Sequence, residues 1–288
     1  MPFNPLTHMG MDDMGRRNKG QNTRGNPLDY AVKTRDVATV DMVKEAITHK
    51  EVMLAFQPIV KASDPNVPAF YEGLIRVLDE TGRVIPAKDF MAVVADTEAG
   101  RQLDCLALEL GLKTLASNPK LRLSINMSAR SIGYRRWMRT LEGAVKRQPE
   151  VAERLILEIS EPSAMQVPEL VMDFMDELQA KGIAFALDDY ASDLTSFRYF
   201  KEFFFDILKV DGQFTKNING DRENQVLAGA MASIARQFDI FTVATRVESV
   251  EDANTLARLG FDCLQGFAFG APTVNPPWAK NKSSKKAA

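Results

Sequence analysis

The sequence predicts an α/β fold: a (β/α)8 TIM-like barrel whose first strand is antiparallel to its second. Three observations predict it. Short apolar runs of strand length recur eight times along the chain, with helical stretches between most of them. The connection between the first two runs is too short to hold a crossover helix. Isolated polar residues fall within or at the ends of the runs, and in barrels of this kind the strand ends carry function.

Taken in order, residues 1–38 are polar and aperiodic, and are expected to be disordered or loosely attached. The barrel domain is expected over residues 39–278. Residues 52–60 read as its first strand and 69–78 as its second. Between them, 61–68 carries Asp64-Pro65-Asn66 and reads as a turn. Further strands are expected at 121–126, 155–159, 183–187, 206–209, 241–244 and 262–265. Residues 167–181 place Leu170, Val171, Phe174, Met175 and Leu178 at helical spacing, and 224–238 and 250–259 behave likewise. Residues 279–288 hold Lys280, Lys282, Lys285 and Lys286 with no acid, and read as a solubilising basic tail.

Composition excludes several classes of function. The net charge of −2 gives no general footprint for nucleic acid. No apolar run approaches the ~18 residues of a membrane span, and the N-terminus lacks the apolar core of a signal peptide, so a cytoplasmic protein is expected. Cys105 and Cys263 stand far apart and form no C-x-x-C pair, which suits two reduced thiols. The two histidines, His8 and His49, lie at no strand end. That argues against a Ser-His-Asp arrangement and against a His-ligated zinc. Neither phosphate-loop nor dinucleotide glycine motifs are present.

The polar residues at strand positions are Glu72, Asn126, Glu158, the pair Asp188-Asp189, Lys209 and Gln265. Each has an ordinary explanation alone: Asp188-Asp189 as a helix cap, Asn126 as a turn residue, Lys209 as a surface lysine. Convergence in one barrel mouth changes the balance, because clustered carboxylates repel unless a cation lies between them. Oxygen-only donors favour Mg2+ or Mn2+ over zinc.

Seven segments stand in order: Gln57-Pro58-Ile59-Val60, Glu72-Gly73-Leu74-Ile75-Arg76, Ser124-Ile125-Asn126-Met127-Ser128, Leu157-Glu158-Ile159-Ser160-Glu161, Asp188-Asp189-Tyr190, Leu208-Lys209-Val210-Asp211 and Gln265-Gly266-Phe267. Together they resemble the EAL family of cyclic di-GMP phosphodiesterases. The resemblance implies that Glu72, Asn126, Glu158 and Asp188 hold one Mg2+ or Mn2+, and that Asp188 and Asp189 bracket a second. It allows for only one of the two sites being filled. It further implies that Lys209 orients the attacking water and that Gln57 and Arg76 contact phosphate. Leu74 would line the groove, Gln265 would face the nucleotide, Asp104 and Glu248 would meet guanine, and Glu161 would brace the loop after Asp189. Homodimers and a signalling protein partner are compatible with it.

Three departures from the family pattern bear on turnover. Thr245 occupies the position of a glutamate that supports the metal–water site, and loss of a positioned base costs about 10²–10⁴ in rate. Arg246 replaces the following glycine, and its guanidinium is either aimed at phosphate or a metal position, or turned to solvent. The loop after Asp188-Asp189 reads Tyr190-Ala191-Ser192-Asp193 and lacks both family glycines. Gly73, where the family has alanine, is a milder change. The expectation is a protein that binds cyclic di-GMP with impaired hydrolysis. The alternatives are a fully active phosphodiesterase and an interaction module that has lost the nucleotide.

Overall fold

The computed structural model describes residues 27–192 and 202–279. Residues 193–201, which include the end of the loop after Asp189, lie outside the described residues, as do 1–26 and the tail from 280 onward.

The chain opens with helix α1 (Pro27–His49), then a hairpin of β1 (Val52–Lys61) and β2 (Asp64–Leu78). There follow β3 (Val84–Pro86), α2 (Met91–Val94), α3 (Glu98–Ser117), β4 (Leu123–Asn126) and α4 (Arg135–Arg147). Next come β5 (Leu155–Ser160), α5 (Glu161–Ala164), α6 (Pro168–Gln179), β6 (Ala184–Tyr190), β7 (Ile207–Val210) and α7 (Gly212–Thr215). The described chain ends through α8 (Arg222–Gln237), β8 (Phe241–Ala244), α9 (Val250–Leu259) and β9 (Cys263–Gln265).

The sheet runs β1-β9-β8-β7-β6-β5-β4-β2 and closes through β1–β2. β1 is antiparallel to both its neighbours, β2 and β9, while β4 to β9 are mutually parallel. The antiparallel start follows from the tight hairpin. Lys61 pairs with Asp64, so the reversal takes fewer residues than the expected 61–68 turn, and Asp64-Pro65-Asn66 sits in the exposed extension of β2. β3 is a three-residue strand on the edge of β2 beyond β4, too short to leave a period in the sequence.

Two findings concern the ends of the described chain. Residues 27–38, expected to be loose, are helical. Tyr30 and Val37 nonetheless remain exposed, and packing against the core begins only around Val40, with Val43 and Ala46 fully buried. At the other end, the Trp278 ring stands edge-on to Phe56 and Tyr71, anchoring the last described turn to β1 and β2.

Strand periodicity explains the site. Ile59, Phe70, Ile156, Ala186, Ile207 and Val243 form one apolar cluster, with Cys263 packed against it. Side chains two apart on a strand share a face, about 6.6 Å along it. Two residues toward the mouth from these positions stand Gln57, Glu72, Glu158, Asp188, Lys209, Thr245 and Gln265. The barrel thus has an apolar floor and, one layer higher, a polar one. On the outer side, Leu155, Leu157 and Ile159 join the large core under the helices.

Gly73 has a packing role. A Cβ there would come 2.7 Å from Ile125 Cδ1, and a Cβ at Gly111 would meet the same atom at 2.7 Å. Ile125 therefore fills a slot between two glycines. Gly73→Ala, which restores the family residue, is expected to destabilise by about 0.5–1.5 kcal/mol, because the terminal methyl of Ile125 that it meets has to turn aside. Adding Ile125→Val should recover most of that loss. Urea midpoints of the two variants test this, and an unchanged midpoint for Gly73→Ala would refute the slot.

Candidate active site

Apart from Thr245, the polar layer is a single bonded cluster. The Lys209 ammonium sits among three carboxylates, 2.6 Å from Glu158, 3.2 Å from Glu72 and 3.1 Å from Asp188. Asn126 Nδ2 donates to Glu72 Oε1 at 2.7 Å. Gln265 Nε2 donates to Glu72 Oε2 at 2.6 Å and to Gln57 Oε1 at 3.2 Å, and Gln57 Nε2 donates to the Gly270 carbonyl.

Burial and charge act in opposite directions here. Burial favours the neutral form of Glu72, but the Lys209 ammonium and the bonds from Gln265 and Asn126 outweigh it, so the carboxyl lies below its ordinary value. Burial and the Glu72 charge push Glu158 up to about 8 despite the same ammonium. Asp188 is also raised, chiefly by burial. Lys209 is buried too, yet three carboxylates hold it well above the ordinary lysine range. The cluster thus carries more carboxylate than one ammonium neutralises. Oxygens of Glu72, Glu158 and Asp188 lie within 4.8 Å of one another, and Glu158 Oε1 is buried with no hydrogen-bond partner. An orphaned carboxylate oxygen beside two others suits a hard divalent cation.

Two cavities flank the cluster. One, of about 220 Å³, is lined by Gln57, Glu72, Asp188, Asp189, Lys209, Thr245, Arg246, Glu248 and Gln265, among others. The other, of about 270 Å³, is lined by Asp104, Asn126, Met127 and Ser128 with residues of α2, α3 and α5, among others. The Asn126–Glu72 hydrogen bond joins residues of the two walls. Leu74 and Arg76 lie higher on β2 and line neither cavity. Arg76 is buried, and its Nη1 donates to the Ile75 carbonyl.

Asp104 belongs to the second cavity from the interior of helix α3, not from a strand end. It accepts from Ser131 Oγ at 2.7 Å and from Ser128 N at 2.9 Å. Burial outweighs these bonds and pushes its carboxyl up to about 6. A carboxyl raised in the folded state favours folding below its unfolded value of about 4, and that contribution is lost as pH rises through the folded value. Asp104→Asn is therefore expected to remove a fall in stability of about 3 kcal/mol between those two pH values. Urea unfolding at a series of pH values measures this, and parallel curves for the two proteins would contradict it.

The three departures have structural correlates. Thr245 Oγ1 donates to the Val210 carbonyl at 2.8 Å, so the hydroxyl is committed to backbone. The Thr245 carbonyl in turn accepts from Thr215 Oγ1. Arg246 keeps a left-handed backbone, φ 53°, and so does Ala191, φ 66°, each at a position where a glycine would carry no such strain. Ala191 is held there from both sides: its N–H donates to Glu161 Oε2 at 2.9 Å, and its carbonyl accepts from Gln213 Nε2 at 2.9 Å. The stem of Arg246 lies across Gly212, where a Cβ would stand 2.1 Å from Arg246 Cδ. Burial and the Asp188 charge push Asp189 up to about 6, and the Arg246 charge is a minor pull the other way. Glu248, at the rim, pairs with Lys216 at 3.3 Å. The motifs pointed to Arg246 and Ala191 but not to Gly212 or Gln213, whose partners are distant in sequence.

Among the described residues no helix is long and apolar enough to cross a membrane, and both cysteines are free.

Comparison with known proteins places this architecture. The model of the EAL domain matches residues 40–272. The cyclic di-GMP phosphodiesterase PdeB of Shewanella oneidensis is 28% identical over 241 residues, which are 80% of this chain and 27% of that protein. The cyclic di-GMP phosphodiesterase PdeF of Escherichia coli is 26% identical over 82% of this chain and 32% of its own length. The chain thus spans about a third or less of these curated relatives. The FimX EAL domain of Xanthomonas citri, solved in complex with c-di-GMP, superposes with a TM-score of 0.76 at 21% identity, covering 86% of this chain and 99% of that one. The FimX EAL domain of Pseudomonas aeruginosa, bound to c-di-GMP, gives 0.73 at 23% identity, over 82% of this chain and 96% of that one. At these identities the structural likeness speaks for the barrel, and the match over most of the sequence speaks for descent. This chain belongs to the EAL domain family.

Proposed function

We propose that this chain binds cyclic di-GMP across the barrel mouth and that its hydrolysis of the bound nucleotide to linear diguanylate is impaired. The observation that carries the reading is Thr245: at the position of a catalytic carboxylate stands a hydroxyl already donated to the Val210 carbonyl. The two cavities on either side of the acidic cluster suit a ligand with two bases joined through phosphates. In this reading Gln57, Gln265 and Arg76 face phosphate, Leu74 lines the upper groove, and Asp104 and Glu248 each meet a guanine edge.

The donor set fits a divalent ion, Mg2+ or Mn2+. Glu72, Asn126, Glu158 and Asp188 would hold one, and Asp189 with Asp188 a second. Such an ion supplies Lewis-acid activation of water and neutralises charge on phosphoryl oxygens. Lys209 would hold the attacking water, and its ammonium keeps the Glu72 carboxylate ionised. Glu161 fixes the loop after Asp189 through the Ala191 amide. The retained set of Glu72, Glu158, Asp188 and Lys209 favours a second reading, a working phosphodiesterase.

Incubation with cyclic di-GMP and Mn2+, following bound nucleotide and linear product in one tube, separates the readings. Binding with little product is expected. Steady turnover would establish the second reading, and absence of binding would sink both.

A further inference from the structure

The end of the barrel opposite the mouth holds a cavity of its own. It measures about 330 Å³ and shares no lining residue with either cavity at the mouth. Its ceiling is the underside of the apolar layer, formed by Phe70, Ile156, Ile207 and Val243, and Cys263 is part of its wall. Barrels of this kind are commonly filled by three layers of side chains, dominated by bulky branched residues. Here the lowest layer is built from other types. Two residues further from the mouth than Ile59 stands Lys61, and the same step leads from Ser124 to Arg122, from Ala186 to Ala184 and from Val243 to Phe241. Alanine is too small to fill the space, and the Phe241 ring is 62% exposed at the rim. The cavity is the room that this layer leaves open.

The charge around it is one-sided. Lys61 and Arg122 both line the cavity, and neither is in an ion pair among the described residues. Asp64, the register partner of Lys61, instead accepts from the backbone and side-chain amides of Asn66. The acid of the lining, Asp262, is already bonded: it accepts from Thr242 N at 2.9 Å and from Thr242 Oγ1 at 2.8 Å. An apolar hollow thus opens between two cations that have no counter-charge.

We infer that this cavity is a second ligand site, for a small amphipathic anion. Its apolar body would lie against Phe70, Ile156 and Val243, and its carboxylate or phosphate head between Lys61 and Arg122. The guanidinium forks onto two oxygens of either head, and the ammonium adds a point charge. An engineered apolar cavity of about 150 Å³ takes up one benzene, so a body about twice that size, such as a chain of about ten carbons, suits this one. A neutral apolar ligand would leave both cations unpaired, and a bare inorganic anion would leave the hollow unfilled. Stability alone would be served better by branched apolar residues at positions 61 and 122.

Isothermal titration calorimetry of the full chain with decanoate and with decyl phosphate, each below its micelle concentration, tests the inference. One equivalent of at least one of them should bind, and the tighter of the two identifies the head. Decan-1-ol, which has the body without the charge, should bind about tenfold more weakly or worse. Cys263 reports the place. Cys105 is buried, whereas Cys263 is partly exposed, and burial pushes its thiol up to about 11. Alkylation of Cys263 by iodoacetamide at about pH 9, read by mass spectrometry, should slow severalfold when the anion is bound. The variant K61E/R122E should lose affinity for the anion about tenfold or more and gain affinity for decylammonium, which also shows that it is folded. No binding of either anion overturns the inference. So does decan-1-ol binding as tightly as the anion, an unchanged affinity in K61E/R122E, or saturation that leaves Cys263 unprotected. The decan-1-ol contrast and the protection of Cys263 are read on the natural protein and stand whether or not the variant folds.

Discussion

Thr245→Glu combined with Arg246→Gly is expected to raise the rate of cyclic di-GMP hydrolysis by about 10²–10⁴-fold, the range that a positioned base supplies. The gain has two sources. A carboxylate at position 245 would replace a hydroxyl that now bonds to the Val210 carbonyl, and would offer a proton acceptor on the wall that Lys209 and Asp189 also line. Glycine at position 246 would relieve a left-handed arginine and withdraw a guanidinium whose charge acts on Asp189. Steady-state measurement of linear product checks this. Thr245→Gln with Arg246→Gly is the control, since it has the shape without the charge and should show little gain. An equal rate in both double variants would mean that position 245 supplies no base in this barrel.

Lys209→Met should be strongly destabilising, and Mn2+ should offset much of the loss. Removing one partner of a buried charge cluster costs about 3–5 kcal/mol, because the remaining charge stays buried without compensation. Here the remainder is three carboxylates whose oxygens lie within 4.8 Å. At about 2–4 °C per kcal/mol for a protein of this size, the melting temperature should fall by roughly 10 °C. Mn2+ at about a hundred times its Kd would return about 2.7 kcal/mol. Acid should also help. Burial and the Glu72 charge raise Glu158 to about 8 even with the ammonium present, and losing the ammonium raises it further, so its share of stability is full below the unfolded value and is lost only as pH rises past 8. The variant should therefore melt higher at pH 5 than at pH 8. A variant as stable as the parent at pH 8 without metal would show that the ammonium does not hold this cluster together.

The chain's own residues declare some of this and hide the rest. The barrel was legible because its strands are short apolar runs, and the antiparallel start because the hairpin leaves no room for a helix. Glu72, Glu158, Asp188 and Lys209 were legible as isolated polar residues within or at the ends of apolar strands. Helix α1 was not, since only its last turns bury side chains such as Val43 and Ala46. Asp104 sits inside a helix, so strand-end logic passes over it and only family likeness points to it. The slot that Ile125 occupies is built by Gly73 and Gly111, far apart in sequence, and nothing local marks either as its wall. The change from alanine at position 73 looked mild as a lost methyl group. In three dimensions it is the space for another residue's terminal carbon.

The Gln57–Gln265 hydrogen bond spans 208 positions of sequence. Those two residues lie on the first and last strands of the barrel, which meet at a short seam: Ile59 pairs with Gln265 and only two further register pairs follow. The mouth and the seam are therefore the same piece of polypeptide. A chain that has built every other strand still lacks a complete mouth, and a barrel that opens at this seam loses a wall of its cavity in the same motion. Whatever occupies the mouth and touches both glutamines acts as a clasp on the circular sheet, so occupancy and closure rise and fall together.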